Sequence, residues 1–335
     1  MSVDWNEIIL QHKTPETAWD EIFTAMLSSA MKITSPVALH EETIIPDRLL
    51  SEAAWELWGA YPNSARKTSD ELIKWTGGKA LVDLSKAGDY NDNHSSPSSK
   101  AVLILDAFSL RELSILLGAA EARDIKPLQI KVTGSECPST TDHFAKALGL
   151  PSRSSLDNNA KPGTFRLFSK DCYTDVLQVP FEDCGIPPTP NVVLWHSWFD
   201  DLIHLQQKNP DQINKIAQQI LQGDGFWKFI NKLRQGRDLV ITSDHGYAVS
   251  KRFSSEVEAP EAVEILKKTF SASRYKPATE PWQMKLMPPI VMEYNNQYVV
   301  MGQRKWKVQG GFPQICHGGL SLLEVAVPFL ELPRL

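Results

Sequence analysis

The sequence predicts an α/β fold, a mostly parallel sheet flanked by helices, preceded by an N-terminal helical region. Two observations predict it. Short apolar runs at 101–105, 192–195 and 238–242 have the near-continuous hydrophobicity of strands buried on both faces. Segments with helical spacing of apolar residues separate these runs, and that alternation is the pattern of a parallel sheet. The chain has 335 residues, enough for about two domains of ~150 residues and for a core that needs no disulfide staples.

The N-terminal region reads as helices. Thr14-Pro15-Glu16 is a helix start: a capping hydroxyl, a proline in the first turn and an acid at the positive end. Spaced apolar residues continue through 18–33. Residues 46–58 place Leu49, Leu50, Ala53, Ala54, Leu57 and Trp58 on one stripe, which predicts a second helix. Residues 69–75 predict a third, ended by Gly77-Gly78. Trp55, Trp58 and Trp75 read as packing residues. Together these form an N-terminal helical region over 1–85. Residues 86–100, KAGDYNDNHSSPSSK, are polar and turn-rich, and predict a linker or exposed loop with a solvated His94. The α/β domain then occupies 101–335.

Within that domain a strand at 101–105 precedes a helix at 109–122, a strand at 128–132 and a short helix at 141–148. A strand at 192–195 leads into a helix at 199–207. Helical signals over 211–233 are interrupted by Gly223 and Gly225, and a strand follows at 238–242. A helix is expected at 260–270. The segments 290–293 and 298–301 flank Tyr294-Asn295-Asn296-Gln297, which predicts a hairpin. A last strand or strand-edge segment is expected at 325–330.

Composition narrows the function classes. Apolar residues make up 42% and charged residues 22%, a globular balance. Lys and Arg total 35 against 40 Asp and Glu, a net charge of −5, which excludes a broad nucleic-acid coat but not a local basic patch. The four cysteines, Cys137, Cys172, Cys184 and Cys316, form no C-x-x-C pair, which excludes a zinc ribbon or thioredoxin-like motif and fits a reduced, intracellular protein. The opening MSVDWNEIIL lacks a basic, then apolar, leader. No stretch approaches the ~20 apolar residues of a membrane span. The expected location is cytoplasmic, with no membrane partner.

Ligands of open α/β sheets bind at the carboxyl ends of strands. Asp106 follows the first strand. Pro138-Ser139-Thr140-Thr141 follows the second and precedes a helix. His196, Asp200 and His204 follow the third, and Ser243-Asp244-His245-Gly246 the fourth. Cys316-His317-Gly318-Gly319 precedes the last. Asp200 and His204 share a helix face at four-residue spacing, which selects Asp200 over the adjacent Asp201. His196 reads as structural. Singly these residues read as caps, turns or surface pairs. Collected at one sheet edge, Asp106, Asp200, His204, Asp244, His245 and His317 are a carboxylate and imidazole set for two divalent cations. Zinc is the expected metal, with manganese or iron as competitors. A hydroxyl between two such sites is the plan of two-metal phosphoryl transfer. Ser139, Thr140 and Thr141 compete for that place, because successive residues entering a helix turn by about 100°.

The order Asp106, Pro138-Ser139-Thr140-Thr141, Asp200-x3-His204, Asp244-His245, His317 resembles the alkaline phosphatase superfamily. The Pro-Ser-x-Thr segment and the ending His317-Gly318-Gly319-Leu320-Ser321-Leu322-Leu323-Glu324-Val325-Ala326-Val327-Pro328 are similar to its PglZ domain. The resemblance covers about 101–332 and leaves 1–85 unassigned. It implies an alkaline phosphatase-like catalytic domain in which Asp106, Asp244 and His245 hold one metal together with Thr141. Asp200, His204 and His317 hold the other, and Thr141 is the nucleophile that becomes a phospho-threonine. It implies a phosphodiesterase acting on a nucleotide, cyclic oligonucleotide or nucleic acid, in phage defence or signalling, and the unassigned helical region 1–85 is a candidate docking module for protein partners. The alternatives are a phosphomonoesterase of the same fold and a metal-stabilised, non-catalytic subunit of a defence assembly.

Overall fold

The computed structural model describes residues 3–78, 99–168, 171–205, 209–253, 255–256, 260–282, 284, 286–313 and 315–335. The predicted linker falls outside these residues except for Ser99 and Lys100.

Five helices open the chain: α1 (Trp5–Leu10), α2 (Pro15–Lys32), α3 (Pro36–Glu52), α4 (Trp55–Ser64) and α5 (Thr68–Thr76). Thr14 caps α2 as its pattern demands, with Pro15 in the first turn. The single helix expected over 46–58 is two. Pro46 lies inside α3, and the amides of Ala53 and Ala54 both bond to the Leu49 carbonyl, which ends it. Leu50, Leu57 and Trp58 nonetheless face one core, so the apolar stripe runs through a break that periodicity cannot register. Gly77 ends α5 with φ of 68°, a left-handed conformation that glycine adopts at least cost.

The elements that follow are β1 (Lys100–Leu105), α6 (Leu110–Glu121), β2 (Gln129–Gly134), α7 (Thr141–Ala147), β3 (Tyr173–Leu177), β4 (Val192–His196), α8 (Trp198–Leu205), α9 (Pro210–Gln222), α10 (Asp224–Arg234) and β5 (Asp238–Thr242). Then come β6 (Ser255–Glu256), α11 (Pro260–Phe270), β7 (Tyr275–Pro277), β8 (Val291–Tyr294), β9 (Gln297–Val300), β10 (Arg304–Lys305), α12 (Leu322–Val325) and β11 (Ala326–Leu332).

The main sheet has the order β2-β11-β5-β1-β4-β3. Strands β5, β1, β4 and β3 pair in parallel. β11 runs antiparallel between β2 and β5, so it is an interior strand. β3 escapes a search for continuous apolar runs because it is an edge strand with a polar Asp175 at its centre. Alternation along β1 explains the layers. Leu103 and Leu105 face a core shared with α6, α8, α9 and α10. Val102 and Ile104 face Leu72 and Ile73 of α5 and Phe144 of α7. The predicted hairpin is β8–β9. Asn295 and Asn296 turn it with φ of 46° and 57°, the positive values a two-residue hairpin turn requires.

The N-terminal helices pack on this sheet. Trp19, Trp58 and Tyr61 form an aromatic cluster with ring centroids 4.9–5.8 Å apart. It shares its core with Leu110 and Leu113 of α6, Val132 of β2 and Ala326 of β11. The Tyr61 hydroxyl donates to the Ser135 carbonyl at 2.7 Å. Among the described residues no helix is long and apolar enough to cross a membrane.

Asp47 of α3 ties the helical region to the C-terminal loops. It accepts the Leu322 N–H at 3.0 Å and the Gln303 amide at 2.7 Å. Burial pushes its carboxyl up from 3.8 to about 7, against the pull of those hydrogen bonds. The folded chain therefore keeps a proton that the unfolded chain releases, and this group lowers stability as pH rises from 3.8 towards about 7. Asp47→Asn keeps an acceptor for Leu322 and removes the titration. Thermal melts across this range should show the variant gaining on the wild type as pH rises, by an amount on the order of a few kcal/mol. A difference that stays flat with pH would contradict the buried proton.

Candidate metal centre

Each site residue stands where its element ends. Asp106 follows β1, and Asp244 and His245 follow β5, the neighbouring parallel strand. All three are fully buried. Thr141 opens α7, Asp200 and His204 lie on α8, and His317 lies in the loop before α12. Parallel pairing brings the first two strand ends together, and α7, α8 and the His317 loop close over them.

Two ligand groups result. One atom from each of Asp106, Asp244 and His245 lies within 4.8 Å of the others, and the same holds for Asp200, His204 and His317. His204 Nε2 is 3.3 Å from Asp200 Oδ2. The groups touch through their imidazoles, His245 and His317 stacking with centroids 4.4 Å apart. His245 Nδ1 lies 3.0 Å from the Gly246 carbonyl. That contact places the ring proton on Nδ1 and leaves the Nε2 lone pair facing the carboxylates.

Three successive hydroxyls point to three different places. Thr141 Oγ1 donates to Asp244 Oδ2 at 2.7 Å, with Asp106 Oδ1 at 3.2 Å and His245 Nε2 at 3.3 Å. Thr140 Oγ1 instead meets His143 Nδ1 at 2.7 Å. Ser139 Oγ accepts the Gly318 N–H and donates to the Gly319 carbonyl, both at 2.9 Å. Ser139 thus clips the Thr141 segment to the His317 loop, and only Thr141 faces the ligand groups. Asp201 accepts from the Ser197 hydroxyl at 2.5 Å, a local turn contact away from His204. His196 is structural. Its ring stacks on Phe181, Nδ1 accepts the Trp198 N–H, and Nε2 meets the Val179 carbonyl.

The sequence reading missed Arg153. Its guanidinium pairs with Asp106 Oδ2, from a 3-10 turn over Arg153–Asn159. An arginine in a polar loop looks like surface, and no spacing connects it to Asp106 across 47 residues.

The charges at the centre conflict. Burial raises the Asp106 carboxyl well above the usual range, Asp244 and Asp200 raise it further, and Arg153 opposes them. Burial also raises Asp200. Burial pushes Asp244 up too, but His245, the Ala107 N–H and the Thr141 hydroxyl outweigh it and hold it below the ordinary value. Burial and the neighbouring His245 lower the His317 imidazole to about 3, so it is a neutral lone-pair donor. Asp200 Oδ1 and His317 Nδ1 are buried without a hydrogen-bond partner. Crowded carboxylates, the neutral His317 imidazole and these two orphaned atoms fit cation binding. The mixed oxygen and nitrogen donors suit zinc or manganese.

Residues 178–332 match the family model of the BREX system PglZ alkaline phosphatase-like domain. The sequence finds no match among curated proteins. Two similar solved structures are phosphonoacetate hydrolase from Sinorhizobium meliloti 1021 in complex with phosphonoacetate, and murine ectonucleotide pyrophosphatase/phosphodiesterase 5, as an inactive form in complex with AMP. The first is 11% identical with a TM-score of 0.40, over 71% of this chain and 91% of that chain. The second is 13% identical with a TM-score of 0.43, over 70% of this chain and 88% of that chain. The matched residues 178–332 hold Asp200, His204, Asp244, His245 and His317, so five of the six candidate ligands lie within the segment similar to an alkaline phosphatase-like PglZ domain.

Proposed function

We propose that this protein is a phosphoryl-transfer hydrolase with two divalent cations, zinc or manganese, that cleaves phosphodiesters through Thr141. The observation that carries it is the Thr141 hydroxyl, 2.7 Å from Asp244 and within 3.3 Å of Asp106 and His245. Asp106, Asp244 and His245 would hold one cation, and Asp200, His204 and His317 the other. Such cations polarise phosphoryl oxygens and make an alkoxide accessible near neutral pH.

The chain's own groups do the rest. Asp244 Oδ2 fixes the direction of the Thr141 proton. As the Oγ1–P bond forms, the Thr141 proton is lost to water, the bond from phosphorus to the leaving oxygen breaks, and that oxygen takes up a proton from water. The phospho-threonine ester is then cleaved by water, which restores the hydroxyl. Arg153, held against Asp106, offers a guanidinium for a phosphoryl oxygen beside the nucleophile. The Ser139 clip keeps the loop bearing His317 in register with Thr141.

The substrate we propose is a nucleotide, cyclic oligonucleotide or nucleic-acid diester, and the setting a multi-protein defence system. The name of the BREX system in the family description supports that setting. Exposed Leu10, Met31 and Ile45 on the N-terminal helices support partner docking through 1–85. Four buried, free cysteines support a reducing compartment such as the cytoplasm.

Rates on bis-p-nitrophenyl phosphate and p-nitrophenyl phosphate test the reaction class. The diester should turn over faster, and a chelator should abolish both activities. A monoester preference would make the protein a phosphomonoesterase, and no turnover with metals bound would favour the non-catalytic subunit. Thr141→Ala should lower turnover by three orders of magnitude or more while leaving the six Asp and His ligands in place. Thr140→Ala, whose hydroxyl faces His143, should cost less than about tenfold. If Thr141→Ala retained near wild-type turnover, direct attack by water would replace the threonine nucleophile.

A further inference from the structure

A second cationic pocket lies outside the site described above. It is a cavity of about 300 Å³ between the α2–α3 connection, the first turns of α6 and α9, and the segment 247–252 that follows β5. Its wall carries Arg111, Lys215 and Arg252, against a single carboxylate, Asp211. Asp211 is already paired with Arg252 at 3.0 Å.

Arg111 is the unusual member. It is 5% exposed, and its Nε and Nη2 have no hydrogen-bond partner. Leaving two nitrogens of a buried guanidinium without partners is costly by the general rule for buried charge. The neighbouring Glu112 accepts the Tyr247 hydroxyl through Oε1 at 2.8 Å and leaves Oε2 without a partner. Burial also pushes the Glu112 carboxyl up to about 7. The Arg111 guanidinium lies over the Tyr247 ring at 5.2 Å. A cavity walled by two guanidinium groups and an ammonium suits an oxyanion with several acceptor oxygens.

We infer that this pocket binds the phosphate group of a small ligand, at a site separate from the Thr141 centre. The volume admits a phosphate with a small organic substituent, and Pro36, Val37 and Val249 supply an apolar wall for it. The pocket is linked to both ligand groups. Tyr247 and Val249 flank Ala248, whose amide and carbonyl bond to Cys316 at 2.9 Å each. Cys316 precedes His317, and Tyr247 lies two residues after His245.

Inorganic phosphate titrated into the metal-loaded, full-length protein tests the inference by calorimetry. The metal-bound centre also attracts phosphate, so the readout is the difference between variants. Arg111→Met should remove one phosphate per chain relative to the wild type. Lys215→Glu, at an exposed helix position that tolerates substitution, should weaken that same phosphate at least tenfold. It decides the matter even if Arg111→Met fails to fold. The lost phosphate should also be the one weakened most by added salt. Equal stoichiometry and affinity in wild type and Lys215→Glu would overturn the site, as would a wild type that binds no phosphate beyond what Thr141-centre ligands account for.

Discussion

The structure is organised around carboxylates that the fold buries before it neutralises them. Asp106 and Asp244 are fully buried side by side at the ends of β1 and β5, with Asp200 close enough to push the Asp106 carboxyl up. Isolated, such groups cost several kcal/mol each. Among the described side chains one cation, Arg153, pairs with Asp106, and the two nearest imidazoles are stacked on each other. Positive charge from outside the chain would complete the arrangement, and the two groups of candidate metal ligands are placed to hold it.

Holding such a centre takes a stiff surround. Glu324 binds Arg274 through both oxygens at 2.9 and 3.0 Å and also accepts the Gly319 N–H and the Ser321 hydroxyl. Arg274 in turn donates to the carbonyls of Gly302 and Arg304. Ser139 joins this loop to the Thr141 segment, and Asp47 joins it to α3. The helical region is thus part of what fixes His317, because α3 supports the loop from behind. Full satisfaction of a buried polar network rigidifies its members, and here the network adjoins Thr141, the proposed nucleophile, and His317, a proposed ligand.

How much of this was legible in the sequence follows from what each feature depends on. β1, β4 and β5 could be read because both of their faces are buried, which leaves long apolar runs. The same strands placed Asp106 and Asp244-His245 at one edge. β3 could not be read, because an edge strand keeps polar residues such as Asp175. The break at Ala53–Ala54 was hidden because both flanking helices serve one core. Choosing among Ser139, Thr140 and Thr141 by residue type alone was impossible, since all three carry a hydroxyl. Their different partners, a glycine loop, His143 and Asp244, come from tertiary closure. Arg153 and Arg111 were invisible for the same reason: an arginine's role depends on what the fold brings to it.

The central claim is that the chain builds two adjacent cation sites, and anomalous diffraction at the zinc edge from crystals grown with zinc tests it most directly. The account predicts two anomalous peaks, one bounded by Asp106, Asp244 and His245 beside the Thr141 hydroxyl, the other by Asp200, His204 and His317. Peaks at other residues, or none at this centre while Arg153 stays paired with Asp106, would contradict it.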